Sequence, residues 1–220
     1  MVEALRYDLS PKKDRPTPVF GFGYDWRRDC TRTAAQLGAF IDEVLARTSL
    51  LPHYQGAEPS EVDLVGHSMG GLIIAAYLAS IQEQQKNDSK LKSRVRRVIT
   101  IGTPFRGSIH AIQKIATGMG FLTGPEPRDR ERETARTIPA LYQLLPTYKG
   151  SLTSDTPDAP TDIFDIGTWQ PSVLATLKEY IRVIKARMEA EKLFKQYLGN
   201  AKQFVNLVNA LSLVSKSVPN

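Results

Sequence analysis

Two rhythms of apolar residues alternate through the first half of the chain. Leu37, Phe40, Ile41, Val44 and Leu45 recur at the three- and four-residue spacing of one helix face. A helix is therefore expected from Thr33 until the turn signals at Pro52 and Gly56. Short apolar runs at Val62–Val65 and Val95–Ile101 predict strands, and Val19–Gly23 predicts another, weakened by its glycines. Leu72–Ile81 is apolar on most sides, the pattern of a buried helix, and leads through the polar loop Gln82–Ser93 to the Val95 strand. Ile109–Ala116 is a further helical stretch. Strand and helix alternate, which predicts an α/β fold with a parallel sheet covered by helices.

After Gly118 the pattern changes. Gly124–Arg132 and Ser151–Pro160 read as charged or polar loops bearing proline. Val173, Leu177, Tyr180, Ile181, Ile184 and Met188 mark the apolar face of a long helix over 172–198, and Phe204, Leu207, Val208 and Leu211 repeat it over 201–214. The expected division is an irregular lead-in at 1–18, a sheet-based core at 19–118 and a largely helical cap region at 119–220.

Composition narrows the function classes. Of 220 residues, 41% are hydrophobic and 24% charged, which excludes a wholly disordered chain and supports a sizeable core. One cysteine, Cys30, excludes an internal disulfide framework. No apolar run reaches the roughly 20 residues of a membrane-spanning helix, and Met1–Tyr7 lacks the layout of a signal peptide. If Met1 is the natural start, these features predict a soluble cytoplasmic protein. The net charge of +6 is dispersed among acidic residues, as in Arg128–Glu133, and has no aromatic platform or zinc-finger spacing. A nucleic-acid partner is therefore not expected, whereas peripheral contact with a lipid surface is compatible with the charge. The three histidines and single cysteine show no ligand spacing, so no metal or cofactor is implied.

Candidate chemistry concentrates in Gly66-His67-Ser68-Met69-Gly70, a G-x-S-x-G motif between a strand and a buried helix. There the serine sits on a strained strand-to-helix turn that lifts its hydroxyl above the sheet. Close passage of neighbouring chain is expected to forbid a side chain at Gly66 and Gly70. The Met69 N–H, at the start of the next helix, is placed to donate to a developing oxyanion, an interaction worth about 2.7–4 kcal/mol. Ser68 is thus the candidate nucleophile. The competing reading is a phosphate loop, which lacks its usual lysine or G-x-G-x-x-G spacing here.

Four segments then carry a family resemblance: Gly23-Tyr24-Asp25-Trp26-Arg27, the elbow Gly66–Gly71, Ile101-Gly102-Thr103-Pro104-Phe105-Arg106-Gly107-Ser108, and Arg136–Pro146 with its R-x-x-P-x-x-x-x-L-L-P pattern. In this order they resemble the lecithin:cholesterol acyltransferase-like lipases and acyltransferases of the α/β-hydrolase fold. The resemblance covers residues 19–150 and implies serine-dependent acyl transfer on lipid-like or other hydrophobic esters through an acyl-enzyme. It also implies a helical cap over an acyl-binding cleft. Asp25, Trp26 and Arg27 read as a conformation-fixing cluster, and Thr103 and Pro104 as strand-end architecture.

The resemblance leaves the rest of the triad unassigned. In this fold the acid and then the histidine follow the serine. His53 precedes Ser68, His67 adjoins it facing away, and His110 stands at the start of a helix, where a surface role fits better than that of a base. Asp155, Asp158, Asp162 and Asp165 fall in a polar loop without the context of a catalytic strand end. The expectation is the middle part of a larger hydrolase, without full hydrolytic activity alone and either poorly soluble or dependent on a partner. Two alternatives remain: a non-catalytic interaction or lipid-surface-binding protein that retains the fold, and a complete chain using His110 or a cap aspartate as an improvised base.

Overall fold

The computed structural model describes residues 2–8, 10–12, 14–54, 56, 58–119, 129–156 and 158–211. After one wide helical turn at Ala4–Asp8, the chain runs irregularly to helix α1, Cys30–Ser49. Asp29 caps that helix, its Oδ1 accepting from the Thr31 and Arg32 amides at 2.8 and 3.3 Å. This cap explains why the helix begins three residues before its hydrophobic periodicity. Strand β1 (Val62–His67), helix α2 (Met69–Asn87) and strand β2 (Val95–Ile101) form the βαβ unit expected from the sequence. The strands pair in parallel, His67 opposite Ile101, with one irregularity after Val62.

Val19–Gly23 does not join that sheet. It forms no regular element and pairs with no strand, so the sheet has two strands among the described residues instead of the three expected. Its aromatic residues find other uses. Phe22 stacks with Tyr24 at a centroid distance of 5.7 Å and packs at a tilt against Phe40 at 5.2 Å, while Arg47 lies over Phe20. Gly21 and Gly23 offer nothing to pack between those anchors, which leaves a segment held by side chains and not by a ladder.

The second half is helical: α3 (Ile109–Thr117), α4 (Asp129–Arg136), α5 (Pro139–Gln143), α6 (Ser172–Val183) and α7 (Ala190–Asn209). Two expectations are corrected. Residues 129–132, read as part of a loop over Gly124–Arg132, form the first turn of α4, where Asp129 and Glu131 favour the helix N-terminus; residues 124–128 lie outside the described ones. The single helix over 172–198 is instead broken at 184–189, and α7 absorbs the start of the segment expected at 201–214, whose residues 212–214 are not described. Lys185, in the left-handed region at φ 53°, turns the chain out of α6.

Two apolar clusters result. The first joins α1, α2 and the inner side of the sheet through Leu37, Ile41, Leu72, Ile73 and Ala76, with Val62, Leu64, Val95 and Val98 against them. The second joins α3, α5, α6 and α7 through Ile115, Tyr142, Leu177, Phe194 and Leu198. Helix α7 serves both, since Phe204 belongs to the first cluster and Leu198 to the second. Packing therefore changes hands before α3. The opposite face of the sheet stays open: Val65, Ile99 and Ile101 are exposed.

Candidate active site

The site begins with the geometry at the end of β1. Ser68 has φ 51° and ψ −125°, a conformation that costs a non-glycine residue about 1–3 kcal/mol and persists only where surroundings enforce it. The enforcement is visible. The Ser68 amide donates to Ile101 O at 2.8 Å, tying the bend to the end of β2, and Gly71 N donates back to Ser68 O at 3.1 Å. Helix α2 starts at the very next residue, Met69. The Ser68 side chain is exposed and makes no capping bond to that helix. Among the described residues no side chain hydrogen-bonds its hydroxyl.

Close packing locks the bend, though not at both glycines expected. A Cβ at Gly66 would lie 2.8 Å from Gly71 N and from Ile74 Cδ1. At Gly70 it would meet nothing nearer than Tyr24 Oη at 3.9 Å, so a side chain fits there. The crowded partner is Gly71, whose Cβ would collide with Thr103 Oγ1 and lie 2.7 and 2.8 Å from Thr103 Cγ2 and Cβ. Thr103 thus presses the end of β2 onto the first turn of α2. Its hydroxyl is buried without a hydrogen-bond partner, so its contact with Gly71 is one of packing.

Met69, the expected oxyanion donor, opens α2, where a backbone N–H has no intrahelical acceptor. The helix dipole adds positive potential at the same place. An exposed hydroxyl, a free amide beside it and a helix N-terminus behind them suit the stabilisation of charge on a tetrahedral oxyanion.

The other candidates are not brought into this site. The His110 ring lies 3.0 Å from Gln113 Oε1 on the exposed side of α3, and its amide donates to the Ser108 cap. His67 is exposed at the end of β1, and His53 is exposed in a short turn of helix. Asp162 accepts from Phe164 N at 2.9 Å and from Lys202 Nζ at 3.3 Å; the first of these bonds mainly holds its carboxyl below the usual range. Asp165 accepts from Gly167 N at 2.6 Å. Both aspartates are engaged in shaping their own turns. No cluster of three metal-ligating side chains occurs among the described residues.

Asp25 behaves as a conformation-fixing residue. Arg27 grips its carboxylate through Nε and Nη2 at 2.8 and 2.9 Å, and Arg28 approaches at 3.6 Å. The Arg27 hydrogen bond is the main reason its carboxyl titrates at about 2.

Sequence reasoning missed two residues of the Arg136–Pro146 segment. Arg136 is 1% exposed, and its guanidinium donates to Ile115 O, Ser172 O, Thr176 Oγ1 and Ser172 Oγ at 3.0–3.1 Å. Burial, followed by the Arg132 charge, lowers its pKa. Gln143 accepts from Cys30 N at 2.7 Å and donates to Asp29 Oδ2 at 2.9 Å, so it clasps the start of α1 across 113 residues of chain. Polar residues embedded in an otherwise apolar motif were the only available signal.

A short parallel βαβ unit with a strained serine between strand and helix defines an α/β-hydrolase-type fold. The comparison with solved structures agrees: a chain of the crystal structure of the Tle4–Tli4 complex superposes with a TM-score of 0.63, covering 86% of this chain and 41% of that one. At 17% identity the likeness concerns the fold alone. The chain belongs to the lecithin:cholesterol acyltransferase family, whose profile matches residues 13–211. It is also 31% identical over 141 residues to the phospholipase A(1) LCAT3 of Arabidopsis thaliana, a match over 60% of this chain and 29% of that protein. The matched region thus spans under a third of that relative's length.

Proposed function

We propose that Ser68 is the nucleophile of an acyl-transfer site for lipid-like esters. The carrying observation is its conformation: a serine at φ 51°, with its hydroxyl exposed and unpartnered at a helix N-terminus. In the proposed reaction Ser68 Oγ attacks the ester carbonyl carbon while a base takes the hydroxyl proton. The Met69 N–H holds the oxyanion. Collapse of the tetrahedral intermediate breaks the ester C–O bond, the departing alkoxide takes up that proton, and the acyl group remains on Ser68. Water or an alcohol then accepts the acyl group by the reverse sequence of steps. Family membership and the phospholipase relative support a lipid ester as the substrate.

The base is not among His53, His67 and His110 in this reading, since His110 is engaged with Gln113 and the others are unconnected to Ser68. A residue beyond this set must supply it. Without a base, the remaining oxyanion donor and binding groups retain only about 10³–10⁴-fold catalysis over water in known triads. The test is mass-spectrometric mapping after prolonged incubation with a fluorophosphonate. Slow, selective phosphonylation of Ser68, absent from Ser68→Ala, is expected. Modification spread over other serines with no preference for Ser68 would overturn the proposal in favour of a non-catalytic protein that keeps the fold.

A further inference from the structure

We propose that the turn between α6 and α7 is a docking prong for an anionic phospholipid bilayer. Residues 182–189 are all exposed, although the sequence pattern would have buried part of this stretch in a continuous helix. Val183, Ile184 and Met188 are 63%, 50% and 37% exposed, three large apolar side chains within six residues. Lys185 and Arg187 are interleaved with them and have no carboxylate partner among the described residues, while Arg182 is held by Glu179 through Nε and Nη2 at 2.8 and 2.5 Å. Water alone gives no reason to hold this combination outward. An interface with apolar chains below and negative headgroups above matches both components.

The prong is also rigidly presented. Lys185 N donates to Arg182 O at 3.2 Å, and Ala186 N to Ile181 O at 3.1 Å, the paired bonds of a Schellman helix ending. The left-handed position of that motif normally takes glycine, yet here it carries Lys185 at φ 53°. A cation is thus kept at the tip in a conformation that disfavours it.

Adjoining chemistry extends the same surface. One turn before the prong, Tyr180 helps line a cleft of about 530 Å³ that also holds Arg27, Arg28, Arg32 and the Thr134 and Thr137 side chains. Asp25 occupies Arg27 and Arg28 in part, and Asp29 is engaged by the α1 amides and Gln143. Arg32 has no carboxylate partner among the described residues, so the cleft offers cationic character for a phosphate headgroup. The segment from Tyr24 to Arg28 links the cleft to the elbow, because Tyr24 Oη is the nearest atom to a Cβ at Gly70.

Vesicle sedimentation tests this with the full chain bearing Ser68→Ala, so the readout is independent of the proposed acyl transfer. Binding to phosphatidylcholine vesicles containing phosphatidylserine, weaker on pure phosphatidylcholine and suppressed by salt, is expected. Replacing Lys185 and Arg187 together by Gln should weaken binding about 25-fold, at roughly fivefold per cation. Val183→Ser with Ile184→Ser should weaken it about tenfold or more. Lys185→Gly separates charge from folding: it relieves the positive φ and preserves stability, yet should lower binding about fivefold. Three outcomes would overturn the proposal: no sedimentation with anionic vesicles, binding indifferent to both sets of substitutions, or self-association through Ile184 without vesicle binding.

Discussion

Ser68 and Arg136 anchor two segments that carry the family resemblance, and their surroundings are opposite. Ser68 stands exposed on a strained bend, its hydroxyl without a partner among the described residues. Arg136 is buried, and each of its guanidinium nitrogens donates a hydrogen bond that ties α4 to α3 and α6. One segment keeps hydrogen-bonding capacity free while the other uses it up. An exposed, unpartnered hydroxyl marks Ser68 as available for chemistry, whereas a buried and multiply bonded guanidinium marks Arg136 as part of the frame.

The sharpest way to break this comparison is at the saturated end. Arg136→Met should destabilise the fold by about 3 kcal/mol, because it removes four hydrogen bonds and leaves the buried Ile115 carbonyl without its donor, while the Ser172 and Thr176 acceptors are only partly buried. Urea denaturation measures this, and a loss under about 1 kcal/mol would remove Arg136 from the frame. The next effect distinguishes neighbouring glycines at the elbow. Gly71→Ala should cost about 1–3 kcal/mol through its collision with Thr103, while Gly70→Ala should be neutral or stabilise by up to about 1 kcal/mol through helix propensity. Equal penalties at the two positions would contradict the packing described.

These predictions also mark how far the sequence was legible. The βαβ order and the bend at Ser68 were readable because strand, glycine, serine and buried helix follow one another within a single local run. Val19–Gly23 misled because a strand needs a partner, and pairing is not encoded in the apolar run itself. The helix over 172–198 misled for a related reason: Ile184 and Met188 continue the periodicity, but Lys185 leaves helical conformation between them. Gly70 and Gly71 are equivalent as letters, and only the arrival of Thr103 from the end of β2 distinguishes them. Likewise, nothing local reveals that Gln143 reaches Cys30 across the chain.

A smaller effect is expected at Cys30, on the framework side of the comparison. Burial, with a further contribution from Asp29, pushes its thiol up to about 12 from an ordinary 9.0. The folded state therefore prefers the neutral thiol more strongly than the unfolded state does. The stability this contributes is fully present below about pH 9 and is lost as pH rises towards 12. Cys30→Ala should lose less stability than the parent over that alkaline window, and the folded parent should react slowly with thiol reagents at neutral pH. Matching alkaline unfolding curves would contradict the assignment.

Chemical rescue probes the exposed serine most directly. Added imidazole can stand in for a base that Ser68 lacks, so hydrolysis of a p-nitrophenyl ester should rise with imidazole concentration beyond the rate of imidazole alone, with the excess absent from Ser68→Ala. An excess that is equal in both proteins, or absent from both, would contradict a nucleophilic role for Ser68.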